Sequence, residues 1–578
     1  MSQLYNVVDA ASRSQSPPVP LKLGVVLDSS PVPGWIYHLV EKLTSCSAIE
    51  ALLLVLENDS KGTAGSDRGP VLFRSWAALD RWVRQPETDA LRSRDWRLLS
   101  RSRSIPVLLL QTRETTHLLD GDIARIKAAN LDLLLYLGRD VPGAELSACA
   151  SLGVWSVQNG ATEVPDQFWD IYEGNPFTLY GPRIIEQKQS RARVVYRSSG
   201  TTYLLSLALT QNAACWEMAR VLVTQLCDAE RLRTKEQLRS EAIAIQYEMS
   251  RTLSNLQMAR FLVQWTVRIL RHEFMKRLFR EQWSIVMQPK SNMTKMISDQ
   301  SFKIMRPPRD RFYADPFLIE KNGCSYLFFE DYRFSSRKGL ISCCEVDSEG
   351  NWSESRVVLE RTYHLSYPFL FSWRGEIYMI PETRDNRTIE MYRASDFPYT
   401  WVHESTLMSD VEAADSTLLH HHDKWWLFTA GVLDHALPEQ TLCLFSADSP
   451  WGPWSAHPKN PIVSDVCHAR PAGCLYFENG QLIRPGQDCS KSYGGAVRLH
   501  RVDVLSETDY QETQLVSITP DWIPGSTGIH TLNQNADYRV MDSKFSIFRF
   551  GFDVFSAARR SKVGSGNSFV FESAKSSR

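Results

Sequence analysis

Apolar positions along the chain fall into two textures. From Leu21 to about Leu226 the apolar runs are short, aliphatic and nearly continuous: Leu23–Leu27, Ile49–Leu56, Ile105–Gln111, Leu131–Leu137 and Val154–Val157. Continuous runs of that length predict parallel strands covered on both faces. Segments with helical spacing lie between them, for example Trp35–Leu43 and Asp122–Ala129. The alternation predicts a doubly wound α/β domain over 21–226. No G-x-G-x-x-G follows the first run, which continues Asp28-Ser29-Ser30, so a dinucleotide fingerprint is absent.

From 227 to 290 the composition shifts to Arg, Glu, Leu and Gln with helical spacing, predicting a helical connector. Within it, 260–280 alternates Arg260, Arg268, Arg271, Lys276, Arg277 and Arg280 with Phe261, Trp265, Ile269, Phe274 and Leu278. Two readings stay open: a connector helix packed on a neighbour, or an interfacial helix drawn to anionic lipid as a peripheral membrane contact.

After Arg311 the texture is β, and it repeats. An apolar run, a two-residue turn and a second aromatic run recur, with turns at Asn322-Gly323, Arg374-Gly375, His422-Asp423, Asn479-Gly480 and Ala536-Asp537. The second turn residues are spaced by 52, 48, 57 and 57 positions. Each interval holds four short strands, and Asn-Gly favours a tight hairpin. The period predicts a five-bladed β-propeller over 291–555, where a plain sandwich predicts none. Residues 1–20 and 556–578 are expected to be flexible arms.

The repeat ranks residues. Eight positions before the second turn residue stand Asp315, Tyr367, Asp415, Ala472 and Ile529; seven after it stand Glu330, Glu382, Ala430, Gln487 and Lys544. Charged groups beside inward apolar runs are costly unless they face a channel or ligand. Asp315, Glu330, Glu382 and Asp415 therefore form a candidate acidic cluster, with Arg470, Arg484, Gln487, Asp488 and His530 near it in the pattern. These residues either bind a carbohydrate or phosphosugar, or cap turns and pair across blades.

Composition adds limits. The chain has 578 residues, with 65 Lys+Arg against 66 Asp+Glu, a net charge of −1. That balance argues against a nucleic-acid partner. Aromatics make up 11% and Trp numbers 17, an excess that packing between blades would absorb. Eleven cysteines with no C-x-x-C pair, and no apolar signal core in the first twenty residues, lead to the expectation of a cytoplasmic protein. No metal site is expected, since His420-His421-His422-Asp423 falls on a hairpin turn whose side chains diverge.

Three resemblances extend this reading. Arg311-Phe312-Tyr313-Ala314-Asp315-Pro316-Phe317 resembles the first blade of arabinanase/xylosidase-type five-bladed glycoside hydrolases. The resemblance implies Asp315 as general base and Asp415 as the carboxylate that tunes pKa. The acid Glu of that pattern is replaced, since this chain reads Ala469-Arg470-Pro471-Ala472-Gly473, and an arginine does not titrate in range. Glu382 is the remaining carboxylate for that role, from a different blade. Ile380-Pro381-Glu382-Thr383, Arg484-Pro485-Gly486-Gln487-Asp488 and Gly528-Ile529-His530-Thr531-Leu532-Asn533, with the motifs around Asp315, Asp415 and Arg470, are together similar to the N-terminal propeller of the plant glucosamine inositolphosphorylceramide transferase family.

The N-terminal segment Gly153-Val154-Trp155-Ser156-Val157-Gln158-Asn159-Gly160 is similar to the formyltransferase fold that uses 10-formyltetrahydrofolate. There, Ser156 and Gln158 stand where the family has Asn and His, leaving Asn159 as a hydrogen-bond donor. A neutral Gln does not shuttle protons as His does, so this formyltransferase-like domain is expected to be degenerate and the folate disfavoured as its cofactor. Together these point to a multidomain protein of polysaccharide or glycolipid biosynthesis that takes a sugar, nucleotide-sugar or glycolipid. Asp315, Asp415 and Glu382 are the catalytic candidates, and Arg470 and Arg484 are cast as holders of a phosphate or carboxylate. A group transferase leads that reading. A propeller glycoside hydrolase and a non-catalytic glycan-binding scaffold are the alternatives.

Overall fold

The computed structural model describes residues 19–27, 31–58, 69–114, 117–138, 144–157, 164–181, 183–185, 193–194, 198–227, 243–244, 251–290 and 302–549. In the N-terminal part, β1 (Leu21–Leu27), β2 (Ile49–Asn58), β3 (Val107–Glu114), β4 (Leu133–Tyr136) and β5 (Val154–Ser156) form a parallel sheet in the order β5-β4-β1-β2-β3. These are the five runs anticipated from the apolar pattern. Successive side chains of β1 enter opposite cores: Val25 packs with Leu39 and Leu222, and Val26 with Leu54 and Ile126. Burial on both faces is why the strands read as continuous apolar runs rather than alternating ones. Helices α1 (Gly34–Thr44), α2 (Val71–Val83) and α3 (Leu207–Cys227) belong to this part.

Among the described residues, the helical part of the connector ends at Leu278. Within 227–290, α4 (Asn255–Leu278) is a helix, opened by a capping box between Ser254 and Gln257. At Phe279 the chain turns into a strand, β6 (Phe279–Pro289), which pairs over its whole length with the last strand, Tyr538–Phe548. The propeller therefore begins at 279 rather than 291. Trp283, Ile285 and Met287 alternate with Gln282, Ser284 and Gln288, so the segment carries a strand period that the helical composition upstream obscures.

Five antiparallel sheets follow the predicted period. The hairpins are β7 (Arg311–Lys321) with β8 (Cys324–Arg333), β9 (Ser366–Trp373) with β10 (Glu376–Thr383), β11 (Ala414–His421) with β12 (Lys424–Ala430), and Tyr476–Glu478 with β13 (Gln481–Asp488). Both residues of each of these four turns have positive φ, from +50° to +85°. That is the type I′ geometry whose twist suits a hairpin, and it explains the recurring Asn-Gly and x-Gly pairs. The fifth blade closes the ring with strands from both ends of the region, β6 against β14 (Tyr538–Phe548).

The two parts touch directly. Lys42 Nζ meets Asp434 at 2.8 Å, Arg220 donates to the His435 carbonyl at 2.7 Å, and Trp216 stacks on His435 with ring centroids 4.0 Å apart. Ser198 and Ser199 donate to the Ser464 carbonyl and to Asp465.

Candidate functional site

The inner strand of each of the first three blades is broken at an equivalent place. Register slips between Ala314 and Phe317, between Ser366 and Phe369, and between Ala414 and Thr417. In each bulge one residue adopts a left-handed backbone: Asp315 (φ +49°), Tyr367 (φ +44°) and Asp415 (φ +51°). Such conformations cost about 1–3 kcal/mol each and persist where the surroundings hold them. The hold here is a ring of bonds between blades. The Asp315 N–H donates to Asp542, the Tyr367 N–H to Asp315 and the Asp415 N–H to Glu382. Tyr367 is fully buried; its hydroxyl bonds Thr417 and accepts from the Gly473 N–H at 2.8 Å.

A cavity of about 250 Å³ opens beside the first two of these bulges. Its charged wall is Asp315, Glu330, Glu382, Arg470 and His530, and its aromatic wall is Trp283, Phe312, Tyr332 and Tyr493. Phe312 and Tyr332 stack face to face at 4.6 Å. His530 lies between two carboxylates, with Nε2 3.1 Å from Asp315 and Nδ1 2.8 Å from Asp542. Burial opposes its charge, but Asp542 and Asp315 outweigh burial and raise its pKa to about 10. Burial likewise opposes charge on Asp315; His530 and the Thr531 hydroxyl, 2.7 Å away, prevail and hold that carboxyl below its ordinary value.

Glu330 goes the other way. Burial and the nearby Asp315 push its carboxyl well above the usual carboxylate range. Two acids on one wall therefore differ in protonation, the pattern by which environments separate an acid from its conjugate-base partner.

Arg470 donates to Asp415 through Nε at 2.6 Å and Nη2 at 3.3 Å, and to Glu439 through Nη1 at 3.2 Å; Glu382 lies 3.5 Å away. Burial opposes its charge, yet Asp415, Tyr493, Glu382 and Glu439 keep the guanidinium firmly protonated. Burial pushes Asp415 well above the usual carboxylate range, against the pull of Arg470, and Glu382 and Asp315 add to the rise. Six carboxyl groups (Asp315, Glu330, Glu382, Asp415, Glu439 and Asp542) thus surround two cations.

Asp315, Glu330 and Glu382, which hold repeat positions, come together in the cavity wall with Arg470 and His530. Asp415 stands behind Arg470, and Gln487 supports it from the side, donating to Asp415 at 2.9 Å and to the Pro471 carbonyl at 2.8 Å. Arg484 and Asp488 stand apart from that wall. Arg484 is buried outside the cavity, with both arms of its guanidinium on Glu512 at 2.7 Å. Asp488 pairs with Arg498 at 2.5 Å. Neither lines the cavity; for Arg484, a buried arginine needs a buried carboxylate and the outer strand supplies one. Arg470, cast as a holder of a phosphate or carboxylate, lines the cavity and commits three of its five N–H groups to Asp415 and Glu439. Asp542, Thr531, Trp283 and Tyr493 join the site without having been anticipated; charged Arg539, Asp542 and Lys544 recurring in an otherwise apolar β14 are the signal that marks that strand. In the N-terminal part, Ser156 is buried at the end of β5, while Gln158 and Asn159 lie outside the described residues.

The bulged strands and most of the cavity wall, though not Trp283 or His530, lie in a region that has known relatives. Residues 294–523 match the family model described as glucosamine inositolphosphorylceramide transferase 1, N-terminal. Glucosamine inositolphosphorylceramide transferase 1 of Oryza sativa subsp. japonica is 38% identical over 205 residues, which cover 35% of this chain and 27% of the relative. The protein of that name from Arabidopsis thaliana is 35% identical over 211 residues, with the same coverage. The match thus spans about a quarter of the length of these relatives. Among solved structures, the chain is similar to Zg3597, a family 117 glycoside hydrolase of Zobellia galactanivorans, at 11% identity and TM-score 0.31, covering 50% of this chain and 99% of that one. It is also similar to the Cellvibrio cellulosa alpha-L-arabinanase, at 13% identity and TM-score 0.27, covering 35% and 77%.

Proposed function

We propose that the propeller takes a terminal amino sugar into its channel cavity and serves a transfer step in glycolipid or polysaccharide assembly. The observation that carries this is the acid excess around the cavity: with Glu330 and Asp415 held protonated, Asp315, Glu382, Glu439 and Asp542 still outnumber the two cations, Arg470 and His530, which are already paired. An ammonium group would relieve that imbalance, whereas a phosphate would add to it. The aromatic wall offers flat faces for the sugar's C–H surface. A volume near 250 Å³ lies just below the range of drug-sized ligand sites, which starts at about 300 Å³, so it suits a terminal unit rather than a chain. The relatives' name, with its glucosamine, agrees with this class. Isothermal titration of glucosamine, glucose and N-acetylglucosamine into the full chain tests it. Glucosamine should bind most tightly, and Glu382→Gln should weaken it about tenfold, equivalent to ~1.4 kcal/mol. Equal affinity for glucose, or no saturable binding, overturns the proposal.

The opposed shifts of Asp315 and Glu330 favour a second reading, glycoside hydrolysis, which needs one protonated and one ionised carboxyl at the bond. Release of free sugar from nitrophenyl glycosides, abolished in both Glu330→Gln and Asp315→Asn, would establish it. Glucosamine binding without such release leaves the first reading standing.

A further inference from the structure

Helix α4 is apolar on two opposite faces. Met258, Phe261 and Trp265 form the inner one, packed against Trp76 of α2 and Phe168. Arg268 donates to the Ile171 carbonyl and Trp265 to the Leu205 carbonyl, fixing the helix's rotation. The outer face carries Leu256, Val263, Val267, Leu270 and Phe274, spaced by 7, 4, 3 and 4 residues, which is one stripe of a helix. All five are more than half exposed, Leu256 reaching 82%. The neighbouring α2 leaves Leu79, Trp82 and Val83 exposed as well, Trp82 at 74%. An exposed apolar stripe of this kind marks an interaction site.

The charges say what covers it. Within Asn255–Leu278 stand Arg260, Arg268, Arg271, Lys276 and Arg277 against the single acid Glu273. At about 100° per residue, Arg260 and Arg271 fall along one edge of the outer stripe and Arg277 along the other. A second copy of this helix would set arginine against arginine on both edges, where helix pairs use complementary charges. No helix among the described residues is long and apolar enough to cross a membrane. We infer that α4, with the exposed flank of α2, lies flat on an anionic lipid surface, its stripe in the acyl boundary and its arginines among the headgroups. This inference does not depend on the reading of the cavity. Leu278 leads directly into Phe279 of β6, so the docked helix is joined without a linker to the closing blade that carries His530.

Flotation of the full chain with vesicles tests this, comparing phosphatidylcholine alone with a phosphatidylcholine–phosphatidylserine mixture. The chain should float with the mixed vesicles only. Leu270→Ser/Phe274→Ser, and separately Arg271→Glu/Arg277→Glu, should each weaken that binding by more than about tenfold while leaving the melting temperature unchanged, since all four residues are exposed. Absence of binding to the mixed vesicles, equal binding to both kinds, or wild-type binding by both variants overturns the inference. So does a dimer, seen by sedimentation, that dissociates in Leu270→Ser/Phe274→Ser when no vesicle binding is found.

Discussion

His530 of the closing blade reaches Asp315 of the first blade, Nε2 to Oδ1 at 3.1 Å, while its other nitrogen is 2.8 Å from Asp542. The contact ties the two blades that close the ring and sits in the wall of the cavity. It joins the seam of the fold to the chemistry of the site, so changes there should register in both.

The pH dependence of this contact has a definite sign. His530 has a folded pKa raised from 6.5 to about 10. Its stabilisation is fully present below about pH 6.5 and is lost as pH rises through 10. Denaturant melts from pH 6 to 10 should show falling stability, and His530→Gln should flatten that fall. At neutral pH the variant leaves Asp315 and Asp542 without their buried cation, at a cost of about 3–5 kcal/mol.

Glu330 should behave as a neutral group. With its folded pKa raised above the unfolded value, it favours folding at low pH, and its contribution is lost as pH climbs through the raised folded value. Glu330→Gln copies the protonated shape, so its stability at neutral pH should match or exceed that of the parent chain. Infrared titration of the carboxyl stretch, with the variant as the difference spectrum, reads the proton directly. A Glu330 that ionises below pH 5 would contradict the assignment.

How far the sequence carried depends on how regular each blade is. Four turns of two residues keep a fixed distance to the channel, as in Lys321 paired with Cys324, and counting along them found Asp315, Glu330, Glu382 and Asp415. The fifth hairpin pairs Gln534 with Arg539, leaving four residues in its loop, and its inner strand is interrupted between Gly528 and Leu532. Fixed counting lands there on Ile529, whereas the channel residue is His530. Arg484 stands apart from the cavity wall for another reason. Its motif places it beside Gln487 on β13, but successive side chains of a strand face opposite ways, and the parity puts Arg484 against Glu512 instead.

That placement is testable. Arg484 and Glu512 form a buried pair, and although burial opposes its charge, Arg484 holds Glu512 down to about 2. With the folded value depressed, this stabilisation is present above about pH 4.5 and is lost as pH falls towards 2. Arg484→Met should cost about 3–5 kcal/mol in a urea melt at pH 7, since it strands a buried carboxylate. Glucosamine affinity of the folded fraction should be unchanged, which separates this residue from Glu382.

Gly473 is where backbone space decides. Its φ is +130°, and a Cβ there would meet the Leu532 carbonyl oxygen at 2.1 Å. Its N–H also donates to the Tyr367 hydroxyl, which in turn bonds Thr417 two blades from Asp315. Gly473→Ala must push Leu532 outward, and Leu532 is joined through Thr531 to Asp315. The expected loss is a few kcal/mol, more than the roughly 1 kcal/mol of an unstrained Gly-to-Ala change and of opposite sign. Because the displaced segment carries His530, the variant should also lose part of the alkaline drop in stability. A melt at pH 7 and another at pH 10 that both match the parent chain would show that the fifth blade's broken strand yields freely, and that the Tyr367–Gly473 bond does not hold the channel.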